Sequence, residues 1–389
     1  MEISKIKIED LSGLNPSEII EDLLSRLKDR EKDVIIRRHG LSGGEREILE
    51  GIGKIHNLTR ERVRQIESAG LKKVRESKDK EVLIRISNLI KEIIESHGGI
   101  MEKDHLFSVL SHYGLEKNEV DEAVFKNFYN FVILKVIDGF EEVNKSNSFL
   151  THIKLSDRPT DHLEKLVAGL KKSIEEKGKV LTTRELFELA EGVAHAHDFK
   201  IVSDDSLDLG KYYQSKYGEE AELVKEKKIL LSLFKAAKTI DQNVYGFWGL
   251  AHWPEIKPRN LNEKIYLVLK NSGEPMHFGD IAKKIDDVDF DEKKTNIASA
   301  HNELILDDKF ILVGRGLYGL KEWGLKEGTV AEIIFDIMKA TDKPLTREEI
   351  IEKVLKERLV KKTTIALALA NKNKFIRIGN GFSINEPVI

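Results

Sequence analysis

The stretch Leu49-Glu-Gly-Ile-Gly-Lys-Ile-His-Asn-Leu-Thr-Arg-Glu-Arg-Val-Arg-Gln-Ile-Glu67 reads as two helices broken by a turn. Ile48, Leu49, Ile52 and Ile55 recur at spacings of three and four, which predicts a helix over 45–56 with those four residues on one face. Asn57 follows, a residue that tolerates positive φ, so a tight turn fits there. Thr59 is placed to cap the next helix. In that helix, over 60–75, Val63, Ile66, Gly70 and Val74 line one side and are expected to pack inward. Arg60, Glu61, Arg64, Gln65 and Ser68 line the other. A solvated face mixes charges without pattern, whereas these first turns hold the side chains that read base edges. Arg pairs with guanine, Gln with adenine, and Glu accepts from cytosine. The first turns of a recognition helix are also where base contacts fall. Arg60, Glu61, Arg64 and Gln65 are therefore the candidate base contacts, with Thr59, Arg62, Ser68, Lys72, Lys73 and Arg75 as candidate phosphate contacts.

Working outward, Asp29 to Arg38 reads as a further helix, and His39-Gly40-Leu41 ends it with a glycine suited to a left-handed cap. Residues 23–76 thus predict four short helices. Charge is concentrated in the same place. From Arg26 to Lys80 there are 16 Lys and Arg against 10 Asp and Glu, on a chain whose net charge is −3. One basic segment on an otherwise acidic body points to a localised DNA contact.

The quoted stretch, together with Asp29-Arg-Glu-Lys-Asp-Val-Ile-Ile-Arg-Arg-His-Gly-Leu41, resembles region 4 of the primary-type bacterial RNA polymerase sigma factors. The run Thr59-Arg-Glu-Arg-Val-Arg-Gln-Ile-Glu67 is its most specific part. The resemblance implies that the positions of Arg60, Glu61, Arg64 and Gln65 read a −35-type promoter element. It also implies docking on the β flap of core RNA polymerase. Gly51 departs from the pattern, where the family has an acidic residue. Fewer than thirty residues precede this region, and no aromatic-rich melting helix follows it, so the expectation is a promoter reader without melting machinery.

Beyond Lys80 one theme repeats: a helix, a breaker, two further helices and a hairpin. Residues 261–323 show it best. Gly273-Glu-Pro275 breaks the chain, helices are expected over 278–285 and 292–306, and strands Lys309-Phe-Ile-Leu-Val313 and Leu317-Tyr-Gly-Leu320 flank the turn Gly314-Arg-Gly316. Residues 329–385 repeat it, with Asp342-Lys-Pro344 as breaker and Lys374-Phe-Ile-Arg-Ile-Gly-Asn-Gly381 matching Lys309-Phe-Ile-Leu-Val-Gly-Arg-Gly316. More diverged copies span 82–153, with Asn130-Phe-Val-Ile-Leu134 expected to lead the strands, and 161–253, with an insertion near 198–218. This order is that of a winged helix. The third copy is similar to the HARE-type winged helix-turn-helix found in the delta subunit of bacterial RNA polymerase, in restriction systems and in chromatin proteins, which implies DNA or polymerase association. Lys293, Lys294 and Arg315 in the third copy, and Lys361, Lys362, Lys372 and Arg377 in the fourth, are candidate DNA contacts. The first two copies, acidic or neutral, are expected to contact protein.

Composition narrows the class. The 389 residues, 40% hydrophobic and 34% charged, suit several small soluble domains. There is no Cys, which excludes disulfides, thiolate metal sites and thiol nucleophiles. No apolar run approaches the roughly 20 residues needed to span a bilayer, and residues 1–10 lack an apolar signal core, so a cytoplasmic protein is expected. His195 and His197 are two apart and on a helix point in different directions, so no shared metal is expected. Neither His-Glu-x-x-His, a phosphate loop ending in Gly-Lys-Ser/Thr, nor a Gly-x-Ser-x-Gly elbow occurs. The carboxylates and lysines of Asp289 to Lys294 lie in a helical turn region, whereas a nuclease core needs strands.

The expected fold class is mainly α with small β-hairpin wings. A 1–19 extension and a 20–77 helix-turn-helix precede winged helices over 78–156, 157–257, 258–325 and 326–389. No enzyme activity, cofactor, metal, membrane or small-molecule substrate is expected. The expected partners are double-stranded promoter DNA and core RNA polymerase. Two alternatives stand beside this: a delta-like or anti-promoter accessory protein of RNA polymerase, and the specificity component of a restriction-type nuclease system.

Overall fold

The computed structural model describes residues 8–76, 80–115, 120–196, 207–291, 293–325, 329–341, 343–357 and 362–385. The chain forms two compact units, the first from residues 1–241 and 248–251, the second from 242–247 and 252–389. It is mainly helical, with small antiparallel sheets.

The first unit opens with a 3-10 turn, Ile8–Gly13, and α1, Pro16–Leu24. The Asn15 side chain caps α1 by accepting from the Ser17 amide at 3.0 Å. Helix α2, Asp29–His39, ends as expected on Gly40 in the left-handed region, φ 64°. Helix α3, Leu49–His56, ends on Asn57 at φ 53°, and α4, Arg60–Arg75, begins at Thr59, whose hydroxyl accepts from the Arg62 amide at 3.2 Å. Val34, Ile52 and Val63 make the small core, with Leu49, Leu58 and Ile66 against it. Gly53 permits the tight turn, because a Cβ there would sit 2.6 Å from the Leu58 carbonyl oxygen.

One expectation fails here. Helix α3 starts at Leu49, not at residue 45. Glu47 is pinned to α2 through three bonds: its amide to the Arg37 carbonyl at 3.0 Å, its carboxylate from Arg37 at 2.9 Å, and its carbonyl from Arg38 at 3.0 Å. The chain is therefore still extended at Ile48, which is 67% exposed, and Ile55 is 50% exposed. Only Leu49 and Ile52 of the expected stripe face the core.

Next come α5, Glu81–Ser96, β1, Ile100–Glu102, α6, Lys103–Gly114, and α7, Glu122–Phe131, continued by a π turn over Val132–Val136. Strands β2, Phe140–Val143, and β3, His152–Leu155, complete a sheet ordered β1-β3-β2. This is the winged order, but residues 130–134 are helical rather than the start of the strands. Phe131, Val132 and Ile133 are all buried, and a short apolar run buried on every side reads the same as strand or helix.

Helix α8, Asp161–Lys177, and α9, Thr183–Ala196, follow. Leu181 bridges Trp248 where a first strand would lie. Helices α10, Gly210–Tyr217, and α11, Ala221–Glu226, lead to α12, Lys228–Ala236, and a two-stranded pair, β4, Ile240–Gln242, and β5, Trp248–Leu250. Helix α10 belongs to the expected insertion and packs on the preceding winged fold. The Tyr113 hydroxyl accepts from the Tyr212 amide at 3.3 Å, and the Tyr213 hydroxyl lies 2.8 Å from His97 Nε2.

The second unit holds two further winged folds. In one, α13, Leu261–Ser272, β6, Met276–His277, α14, Phe278–Val288, α15, Ile297–Leu306, β7, Phe310–Leu312, and β8, Leu317–Leu320, give a sheet ordered β6-β8-β7. Helix α15 starts five residues later than expected, where Asn296 caps it by accepting from the Ser299 amide at 3.0 Å. In the other, α16, Val330–Thr341, β9, Leu345–Thr346, α17, Arg347–Glu357, α18, Lys362–Leu369, β10, Phe375–Ile378, and β11, Gly381–Ile384, give the order β10-β11-β9. Each encloses its own apolar core.

Candidate nucleic-acid interface

Helix α4 separates its faces as the sequence suggests. Val63, Gly70 and Val74 are buried, while Arg60, Glu61, Arg64, Gln65, Ser68 and Lys72 are exposed. The Thr59 cap fixes where this face begins. Along it the polar groups pair with one another. Arg64 donates to both carboxylate oxygens of Glu61, at 2.9 and 2.7 Å, and Arg62 donates to the Gln65 side-chain oxygen at 3.1 Å. The Arg64 bond holds the Glu61 carboxyl below its ordinary range, and Glu61 in turn raises the Arg64 guanidinium. A two-point Arg–carboxylate clamp orients the guanidinium before any ligand arrives.

Not every expected phosphate contact joins this face. Lys73 is tied to the Glu31 carboxylate at 2.7 and 2.8 Å, and Arg75 Nε donates to the Lys135 carbonyl at 2.8 Å. Lys73 is half-buried by its pairing, whereas Arg75 stays exposed. Glu67, on the same helix, is drawn to His39 and Arg38, each at 3.5 Å, and its pKa is lowered, first by the His39 contact.

What sequence reasoning missed is how the third helix of each winged fold is used. On α7, Val124, Phe125, Phe128, Tyr129, Asn130 and Phe131 are buried. Region 23–76 lies against this helix. Asn127 donates to the Gly40 carbonyl at 3.1 Å and accepts from Arg46 at 3.0 Å, and the His39 and Phe131 rings are 4.9 Å apart. Gly40 thus serves twice: a Cβ there would meet the Asn127 amide at 2.7 Å. Helix α12 is likewise buried along almost its whole length, and Ser232 donates to the Ile100 carbonyl of β1 at 2.6 Å. The α7 and α12 faces are therefore used within the chain. Helices α15 and α18 each keep an exposed face. No linear signal announces this difference.

The remaining candidates belong to the second unit. Lys293 and Lys294 are exposed in the turn before α15, and Arg315 is exposed at the tip of the β7–β8 hairpin. Lys362 is at the start of α18, and Lys372 and Arg377 are exposed around β10. Lys361, His197 and Asp198 lie outside the described residues. Among the described residues there is no group of three or more His, Asp or Glu able to hold a metal, and no helix long and apolar enough to cross a membrane.

Comparison with known proteins agrees with these two regions. Residues 23–76 match the family model of Sigma-70, region 4, and residues 259–323 match that of HARE-HTH, the helix-turn-helix domain described for ASXL proteins and restriction endonucleases. These two segments are helix-turn-helix domains of DNA-binding type, the first of them sigma-like. Over 58 residues the chain is 50% identical to RNA polymerase sigma factor SigA1 of Synechococcus elongatus and to the SigA factors of Microcystis aeruginosa and Synechocystis sp.. The match covers 15% of this chain and 14% of each relative. The chain thus spans about one seventh of the length of these relatives. No solved structure matches it.

Proposed function

We propose that this protein is a sequence-specific DNA-binding transcription factor related to sigma factors, which reads a −35-type promoter element through residues 59–75. The observation that carries this reading is the exposed row Arg60, Glu61, Arg64 and Gln65 on a helix capped at Thr59, inside a segment half identical to SigA factors. Core RNA polymerase is the protein partner assigned to this segment, with the β flap as its contact. The winged folds over 78–156, 157–257, 258–325 and 326–389 are assigned as its accessory modules, and the role is binding, not catalysis, in the cytoplasm. A footprint on genomic DNA, with and without purified core polymerase, tests this. Protection of discrete sites, strengthened by core enzyme, is expected. Uniform protection without sites would sink it.

One observation favours a second reading, that of a delta-like polymerase accessory protein. Ile297, Ile305 and Leu306 are exposed on α15, an apolar face better suited to protein than to phosphate. Binding to core polymerase without any site preference on DNA would favour it.

A further inference from the structure

The four winged folds of this chain do not offer the same surface. Two of their third helices, α7 and α12, are buried within the first unit. Of the two left open, α15 presents isoleucine and leucine, and the basic groups nearby are partly consumed: Lys264 is paired with Asp291 at 2.6 Å and Lys309 with Asp307 at 3.2 Å. The fourth fold differs. From residue 358 to 385 the sequence has six Lys and Arg and no Asp or Glu, in a chain with a net charge of −3.

The geometry gathers four of these cations, Lys362, Lys372, Lys374 and Arg377, around one helix and one hairpin. Lys362, Thr363, Thr364 and Leu367 are exposed on α18, while Ile365 and Leu369 anchor its other side in the core. From residue 371 to 380 every side chain but Phe375 is exposed, Lys372, Lys374 and Arg377 among them. Arg377 shares the sheet face of Phe375, the side on which the helices pack, by the two-residue period of a strand. No ion pair is made by Lys362, Lys372, Lys374 or Arg377 among the described residues. Unpaired cations on a helix and an adjoining hairpin, with no carboxylate among them, attract a polyanion of fixed spacing.

We propose that this fourth winged fold is a second double-stranded-DNA site, separate from α4. Lys362, Lys372, Lys374 and Arg377 contact phosphates. Thr363, Thr364 and Leu367 face the groove, where hydroxyls bond base edges and an apolar group packs on thymine methyls. The contact is mainly with the backbone, so it accepts duplexes of any sequence. It does not depend on which bases α4 reads.

The test uses the full chain and a labelled random-sequence duplex, with affinity followed by anisotropy across a salt series. Each phosphate contact contributes about 0.9 to the slope of log affinity against log salt. The quadruple variant K362A/K372A/K374A/R377A should therefore flatten that slope by roughly 3 to 4 and weaken binding at least about tenfold at low salt, with an unchanged thermal melt. The quadruple variant should keep the parent's ratio of affinities for α4's preferred site over other sequences, which separates failure of this site from failure of the α4 reading. An unchanged slope in the quadruple variant overturns the proposal. So does displacement of the duplex by single-stranded RNA of equal length at much lower concentration, which would make the patch an RNA site.

Discussion

His97 offers the sharpest test of how the first unit is held together. Its ring is fully buried, and Nδ1 lies 2.7 Å from the Ile93 carbonyl, so Nδ1 donates. Nε2 then accepts from the Tyr213 hydroxyl at 2.8 Å, which ties α10 to the first winged fold. Only a neutral ring satisfies both bonds. Burial pushes its pKa down to about 4, while the unfolded chain keeps the ordinary value near 6.5. The unfolded state therefore takes up the proton first as pH falls. The contribution of this histidine to stability is complete above about pH 6.5 and is lost as pH drops toward 4. Between pH 7.5 and pH 5 the loss is about 2 kcal/mol, and His105, fully buried and also shifted well down, adds to it. With Trp253 and Trp323 changed to Phe, buried Trp248 becomes the fluorescence reporter of the first unit in urea unfolding. Replacing His97 with Gln keeps a polar group but removes the proton site, and should cut the pH dependence by about 2 kcal/mol. If the His97→Gln protein loses as much stability at pH 5 as its parent, neutral burial of this ring is not what couples α10 to the fold.

Other outcomes follow from the α4 surface and its turn. Arg64→Ala or Gln65→Ala should each cost about 1 to 3 kcal/mol on the preferred site and relax base preference locally, as read by competition binding. Equal weakening on specific and random duplexes would show that neither residue reads bases. Gly53→Ala forces a Cβ to within 2.6 Å of the Leu58 carbonyl and should destabilise the turn by about 1 to 3 kcal/mol. A melt and a DNA titration of the variant should both shift, and an unshifted melt would mean that the turn yields freely.

Much of this was legible in the sequence because it is local. Gly40 and Asn57 adopt the left-handed conformations that their types suggest, and Thr59 caps α4. The turns at Gly316 and Gly379 fall between the expected strands. What was not legible depends on contacts distant in the chain. Ile48 and Ile55 fit an apolar stripe, yet Glu47 is held by Arg37 and Arg38 and the helix begins too late to turn them inward. Residues 130–134 have the composition of a strand, but region 23–76 and the surrounding helices bury them as helix. Lys73 and Arg75 have the spacing of phosphate contacts, and they also bond to Glu31 and the Lys135 carbonyl. Neither partner is near in sequence, so no spacing rule includes it.

The dependence of residues 23–76 on α7 also sets a schedule for the nascent chain. Translation adds about 5–20 residues per second, so the partner surface ending at Val136 follows Arg75 by about 3 to 12 seconds. During that interval the helix-turn-helix has the apolar centre around Val34, Ile52 and Val63. Helix α12 arrives later still, so β1 waits longer for Ser232 than Gly40 waits for Asn127. Assembly of the first unit is thus ordered along the chain from the amino end. The helix-turn-helix is synthesised before α7 and becomes fully braced only after that helix has left the ribosome.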